Sequence, residues 1–214
     1  MVGVYLFVEG GGNSNDLKTE CRHGFSTFLE KAGLKGKMPR IVACGGREQA
    51  FDRFITATKN GETAILLIDS ESAIASDCQQ GDSGAWKPWK HLKNRPGDNW
   101  EQPDNTSDND CHLMVQCMES WFIADRETLK TFFGKGFNGS ALPSTQSSVE
   151  LIDKAQVYKS FAEATKNCET KKPYGKGEHS FKILALIDPV KVITASPWAD
   201  RFVKTAKAKM GIAR

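Results

Sequence analysis

The 214 residues, 39% hydrophobic and 26% charged, are enough for one domain with a buried core and a small appended part, and they exclude a chain disordered by composition. No apolar run approaches the roughly 20 residues that span a bilayer, and the short apolar start MVGVYLFVEGGG lacks a basic leader, so it reads as a strand and not as a signal peptide. The net charge of +3 hides an asymmetry, because residues 154–214 hold 13 Lys/Arg against 5 Asp/Glu and the rest of the chain is acidic. An acidic first part beside a basic end fits a carboxylate metal site next to a polyanion-binding face. On charge alone, two solvated helix faces are the simpler account.

Residues 3–8, GVYLFV, form a buried-strand run that stops at Glu9 and three glycines. Helical spacing follows over 15–32 through Leu17, Cys21, Phe25, Phe28 and Leu29, with Asn15 as its cap and Gly33 as its stop. Residues 40–44 predict a second strand, 47–59 a helix, and 63–68, TAILLI, a third strand ending at Asp69-Ser70-Glu71. Such alternation predicts a parallel sheet covered by helices and joined by right-handed crossovers. Residues 72–110 are rich in Ser, Asp, Asn, Gly and Pro, with Trp86, Trp89 and Trp100 interspersed and a short helix expected over 85–93. A loop of this length is usually functional or mobile.

The fourth strand is expected over 112–118, HLMVQCM, followed by Glu119 and one or two abutting helices to 133, with Asp125 placed to cap the second. Residues 134–147 read as a linker, 148–167 as an amphipathic helix, 168–179 as a basic loop, and 179–187 and 197–210 as two short helices, the last opening on Ser196-Pro197. The division is therefore an α/β core over 1–133 and a helical C-terminal extension over 134–214 that packs on it.

Six cysteines, Cys21, Cys44, Cys78, Cys111, Cys117 and Cys168, form no CxxC pair. They read as scattered thiols of a cytoplasmic protein, neither a zinc ribbon nor a disulfide framework. No histidine spacing supports zinc. The glycines after Glu9 follow neither GxGxxG nor a P-loop pattern.

Ligands of open α/β sheets sit at the carboxyl ends of the strands. Three expected strands end in acids: Glu9, Asp69 with Glu71, and Glu119. Acids brought together raise one another's pKa unless a cation neutralises them, and a hard cation with oxygen ligands does so. Asp-x-Glu suits this, since residues i and i+2 of an extended segment point the same way. Arg47, after Gly45-Gly46, is a candidate phosphate contact, and His179 a weaker one. The tryptophans suit either base stacking or anchoring of the long loop, with anchoring the simpler role.

The pieces LFVEGGGN at 6–13 and LLIDSE at 66–71 resemble the Toprim domain, which carries a glutamate after its first strand and an acidic-x-acidic pair after its third. The usual pair is Asp-x-Asp, so Glu71 departs from it. With VQCMESWFIAD at 115–125 and KPYGKGEHSFKILALID at 172–188, the chain is similar to small Toprim-like proteins of bacterial defence islands, related to the overcoming-lysogenization-defect nucleases. That resemblance implies a Toprim-like (Rossmann-like) fold with a mostly parallel sheet, and a metal-dependent nuclease acting on DNA or RNA in anti-phage defence with an ATPase partner. It also implies one or two Mg²⁺ or Mn²⁺ ions on Glu9, Asp69 and Glu71, with Glu119 and Asp125 toward a second ion. Lys176 or Lys182 would be the late basic residue near the scissile phosphate, and Glu9 a ligand or general acid/base. The alternative is a catalytically inactive Toprim-fold module that binds nucleic acid or protein, and a third option is a phosphohydrolase of small esters. A homo-oligomeric state stays open.

Overall fold

The computed structural model describes residues 3–144 and 148–212. Its centre is a four-stranded, wholly parallel sheet in the order β2-β1-β3-β4, built from β1 (Val4–Gly11), β2 (Arg40–Gly45), β3 (Thr63–Asp69) and β4 (Cys111–Met114). The chain is thus α/β with a Rossmann-like sheet flanked by helices. β3 explains why both faces are covered. Its Ile65 and Leu67 point to one apolar cluster and its Ala64, Leu66 and Ile68 to the other, as the two-residue period of a strand requires. Helix α1 (Asn15–Leu29) closes the first face with Cys21, Phe25 and Phe28. Helix α2 (Arg47–Lys59) closes the second with Ala50, Phe54 and Ala57.

The strand order decides where a ligand can go. From β1 the chain moves outward to β2, then returns over β1 to β3. The connections that leave β1 and β3 run in opposite directions, to β2 and to β4, so they part at the carboxyl ends of β1 and β3. That gap is a topological switch point, where open α/β sheets bind ligands. Glu9 lies near the end of β1 and Asp69 ends β3.

Several expected boundaries move. Helical backbone does break at Gly33, which takes φ +99° inside a π turn over Glu30–Leu34. Asn15 is the first helical residue, and Ser14 holds the cap position without a side-chain bond. The fourth strand ends at Met114, four residues early, because the following main chain turns inward. There Gln116 O accepts from Glu71 N, and Met118 N donates to the Asp69 carboxylate. Glu119 therefore begins helix α4 (Glu119–Ile123) instead of ending a strand.

The long loop is anchored by its aromatics. Helix α3 (Pro88–Asn94) buries Trp89 against Phe54, Trp86 packs on Trp198, and Trp100 stacks on Phe51 with ring centroids 4.1 Å apart. Beyond helix α5 (Arg126–Phe133), residues 145–147 of the expected linker lie outside the described residues. The expected helix over 148–167 is a single turn at Val149–Leu151 followed by α6 (Lys154–Thr165). Helix α7 (Lys176–Leu186) starts three residues earlier than expected, α8 (Pro189–Ala195) was not expected, and α9 (Pro197–Lys209) follows its Ser196 cap. Phe161, Ile183, Leu184 and Phe202 from these helices are fully buried in the same cluster as Leu6 and Val8 of the sheet. No helix among the described residues is long and apolar enough to cross a membrane.

Candidate metal centre

Two glycines let the strand ends approach closely. Gly11 has φ +86°, and a Cβ there would stand 2.8 Å from the Lys18 backbone. Gly45 has φ +87°, and its Cβ would stand 2.6 Å from the carbonyl oxygen of Gly12. Only glycine tolerates both demands. The turn after β1 can therefore lie against β2 and the start of α1.

At this edge one oxygen each of Glu9, Asp69 and Glu71 lie within 4.8 Å of one another, a spacing at which they could hold one metal ion. Glu71 arrives there differently from expectation. Its backbone is not extended but left-handed, with φ +67°, and its amide bonds to Gln116 O at 2.9 Å. The turn, not strand alternation, returns its carboxylate to the cluster.

Asp69 is the buried member, 2% exposed. Its Oδ1 accepts from Met118 N at 2.9 Å, while Lys154 Nζ and Lys176 Nζ each stand 3.6 Å from Oδ2. Burial, then the neighbouring Glu9, push its carboxyl up to about 7, against the pull of Lys176 and Lys154. Glu9 Oε2 accepts from Asp69 N at 3.2 Å and from Arg47 at 3.4 Å. Burial raises its carboxyl too, with a contribution from Glu71, although Arg47 and the Asp69 amide oppose this. Glu71 pairs with Lys154 at 2.7 Å. Three acids thus face three cations, as a purely structural ion-pair network would. The raised Asp69 argues that these cations leave the buried carboxylate short of compensation. An all-oxygen donor set in that state fits a hard divalent cation.

Arg47 is not free to bind phosphate. Its guanidinium forms a two-pronged pair with Asp98 of the long loop at 2.6 and 2.7 Å and lies 5.2 Å from the centre of the Trp100 ring. It ties the loop to Glu9 and the end of β3.

Of the other expected residues, only Lys176 joins the cluster. Its place at the start of α7 carries it to Asp69, and although burial opposes its charge, Asp69, Glu119 and Glu9 raise its pKa. Lys182, six residues on, turns away and pairs with Glu20 of α1 at 3.6 Å. Glu119 is fully buried and stands outside the three-carboxylate group. Its oxygens accept from Tyr174 at 2.9 Å and Tyr158 at 3.0 Å. Asp125 is likewise elsewhere. It caps α5 through Thr128 and accepts from Asp188 N at 3.0 Å and Lys191 at 2.6 Å. His179 accepts from Gly175 N and packs among Phe132, Phe133 and Tyr174. The six cysteines are all free thiols.

Lys154, Tyr158 and Tyr174 were not legible as site residues. The +8 balance of their segment singles out no position, and Tyr174 lies in the piece KPYGKGEHSFKILALID with no role assigned to it there.

A cleft of about 340 Å³ opens beside Glu9, Asp69 and Lys176, between the start of α1 and the start of α7. No curated protein and no solved structure matches the chain. A family model described as a domain of unknown function, DUF4276, matches residues 8–206. That span holds the four strand ends, the carboxylates and the helices that bring Lys154 and Lys176 to them, so the chain belongs to the DUF4276 family.

Proposed function

We propose that the protein is a divalent-metal-dependent nuclease of Toprim type, with one Mg²⁺ or Mn²⁺ held by Glu9, Asp69 and Glu71. The observation that carries this reading is the convergence of three carboxylates at the sheet's switch point, with Asp69 buried and raised. Bound there, the ion would polarise a phosphate and lower the pKa of a water. In the hydrolysis a water oxygen bonds to phosphorus and the bond from phosphorus to one sugar oxygen breaks. The water's proton would pass to solvent and the departing oxygen would take a proton from solvent, with Glu9 kept as a ligand of the ion. Lys176 places positive charge beside the site, where charge develops on the phosphate. Arg47 holds Glu9 in place.

One ion is favoured over two, because Glu119 and Asp125 are held by other partners. Free thiols accord with a reducing cytoplasm. A role in anti-phage defence with an ATPase partner is supported by the sequence resemblance alone.

The test is cleavage of DNA and RNA with Mg²⁺ or Mn²⁺ by wild type and Asp69→Ala. Wild type should cut only with metal, and the variant should lose at least the roughly hundredfold that even outer-shell losses can cost. Equal cutting by both proteins would sink the reading. The ion pair between Lys154 and Glu71 favours a second reading, a metal-free binding module. That module would bind nucleic acid with no Mn²⁺ uptake, whereas the nuclease takes up Mn²⁺ in a titration that Asp69→Ala abolishes.

A further inference from the structure

The cleft beside the carboxylates has two unlike ends. Glu9, Asp69 and Lys176 lie at one. The rest of the lining includes Leu17 of α1, Met118, and Gly177 and Phe181 of α7. Phosphate chemistry needs only the charged end. The apolar remainder is unexplained by metal binding.

Its walls are fixed in place. A Cβ on Gly24 would stand 2.8 Å from the Phe181 carbonyl oxygen, so α1 and α7 pack backbone to backbone just beyond the cleft. Nearer the mouth the helices diverge, and a Cβ on Gly177 would meet nothing closer than Leu17 Cδ1 at 3.9 Å. The gap is therefore bounded by packed helices and left open by glycine. Its volume falls at the lower end of the roughly 300–1,000 Å³ typical of small-molecule pockets.

We propose that this cleft takes one unstacked nucleotide, its base between Leu17, Met118 and Phe181 and its phosphate at the carboxylate end. This rests on the proposed metal-dependent phosphate chemistry and narrows its substrate class. A duplex keeps its bases stacked inside and offers a metal site only its backbone, so the apolar end would stay unfilled. A single strand, a frayed end or a free nucleotide has a base to place there, at a gain of the order seen for base stacking on protein side chains.

The first arm of the test uses ligands without a phosphodiester bond, so that binding there is read apart from cutting. The full chain with Mn²⁺ is titrated with thymidine 5′-monophosphate and with deoxyribose 5-phosphate, which lacks the base. Thymidine monophosphate should bind about tenfold tighter. Gly177→Leu, which fills the gap, should erase that advantage while Mn²⁺ affinity and melting temperature hold. Leu17→Ala, which removes one wall, gives a second variant should the first fail to fold. In competition, a ten-residue oligothymidylate should displace the nucleotide about tenfold better than the same strand paired with its complement.

Equal binding with and without the base overturns the proposal, as does equal competition by the duplex, or a base advantage that persists in both variants. Base-dependent binding with no cutting of any nucleic acid supports the cleft and refutes the nuclease. Cutting of duplex and single strand alike, unaffected by Gly177→Leu, supports the nuclease and refutes the cleft. A free nucleotide that binds better than the oligomer keeps the cleft and identifies its source as a small molecule.

Discussion

Asp69 shows how one residue ties stability, pH and metal together. Its carboxyl rises from an ordinary 3.8 to about 7 on folding, chiefly through burial. Between those values the folded chain keeps a proton that the unfolded chain has released. Its stabilising contribution is full below the unfolded value and is lost as pH rises through about 7. Metal-free protein should therefore melt lower near pH 8 than near pH 5, and Asp69→Asn should reduce that fall and melt above wild type near pH 8. Thermal melts in a chelator check this, and a wild type that gains stability over the interval would contradict it. Metal should reverse the trend, because it binds the deprotonated acid. Glu119 is another buried acid, and its hydrogen-bond donors are neutral. Tyr158→Phe or Tyr174→Phe removes one of its two hydroxyl donors and should cost about 1–3 kcal/mol in urea denaturation. Mn²⁺ affinity should change far less than in Asp69→Asn. A larger loss of metal than of stability would place Glu119 among the ligands.

At the scale of elements, what matters is where strands and helices end. β4 stops early because Asp69 and Glu71 recruit the main chain after it. No apolar pattern in HLMVQCM announces that, since the competing partner lies far away in sequence. By contrast, the caps of α5 and α9 were readable from Asp125 and from Ser196-Pro197, because a cap is a contact within one turn. Asp125 does more than cap, as it also holds the start of α8 through Asp188 N and Lys191. Asp125→Ala should lower stability by about 1–2 kcal/mol, the exposed Lys191 adding little, with Mn²⁺ binding intact. Calorimetry of both quantities checks this, and a variant that keeps its stability but loses metal would return Asp125 to the ligand set.

For the whole molecule, the C-terminal helices are part of the same core as the sheet. Phe161, Ile183, Leu184 and Phe202 are fully buried with Leu6, Val8 and Phe25. Each large apolar side chain exposed by truncation forfeits roughly 1.5–3 kcal/mol, and a domain's net stability is only about 5–15 kcal/mol. A fragment of residues 1–133 should therefore fail to fold by itself. Near-ultraviolet circular dichroism of that fragment decides the matter, and a native-like spectrum with cooperative melting would show that the core stands alone. The same helices complete the site, since Lys154 begins α6 and Lys176 begins α7.

The alternation of strands and helices, the placing of Glu9 and Asp69 at strand ends, and the anchoring tryptophans were legible in the sequence. Each rests on short-range periodicity or on residue chemistry that neighbours in the chain do not override. The order β2-β1-β3-β4, which makes the ends of β1 and β3 a switch point, was decided only by tertiary structure. So were the left-handed turn that returns Glu71 to the cluster, the removal of Glu119 to a pair of tyrosines, and the choice of Lys176 over Lys182. These depend on distances between residues far apart in the chain, where packing of α6 and α7 against the sheet sets the geometry.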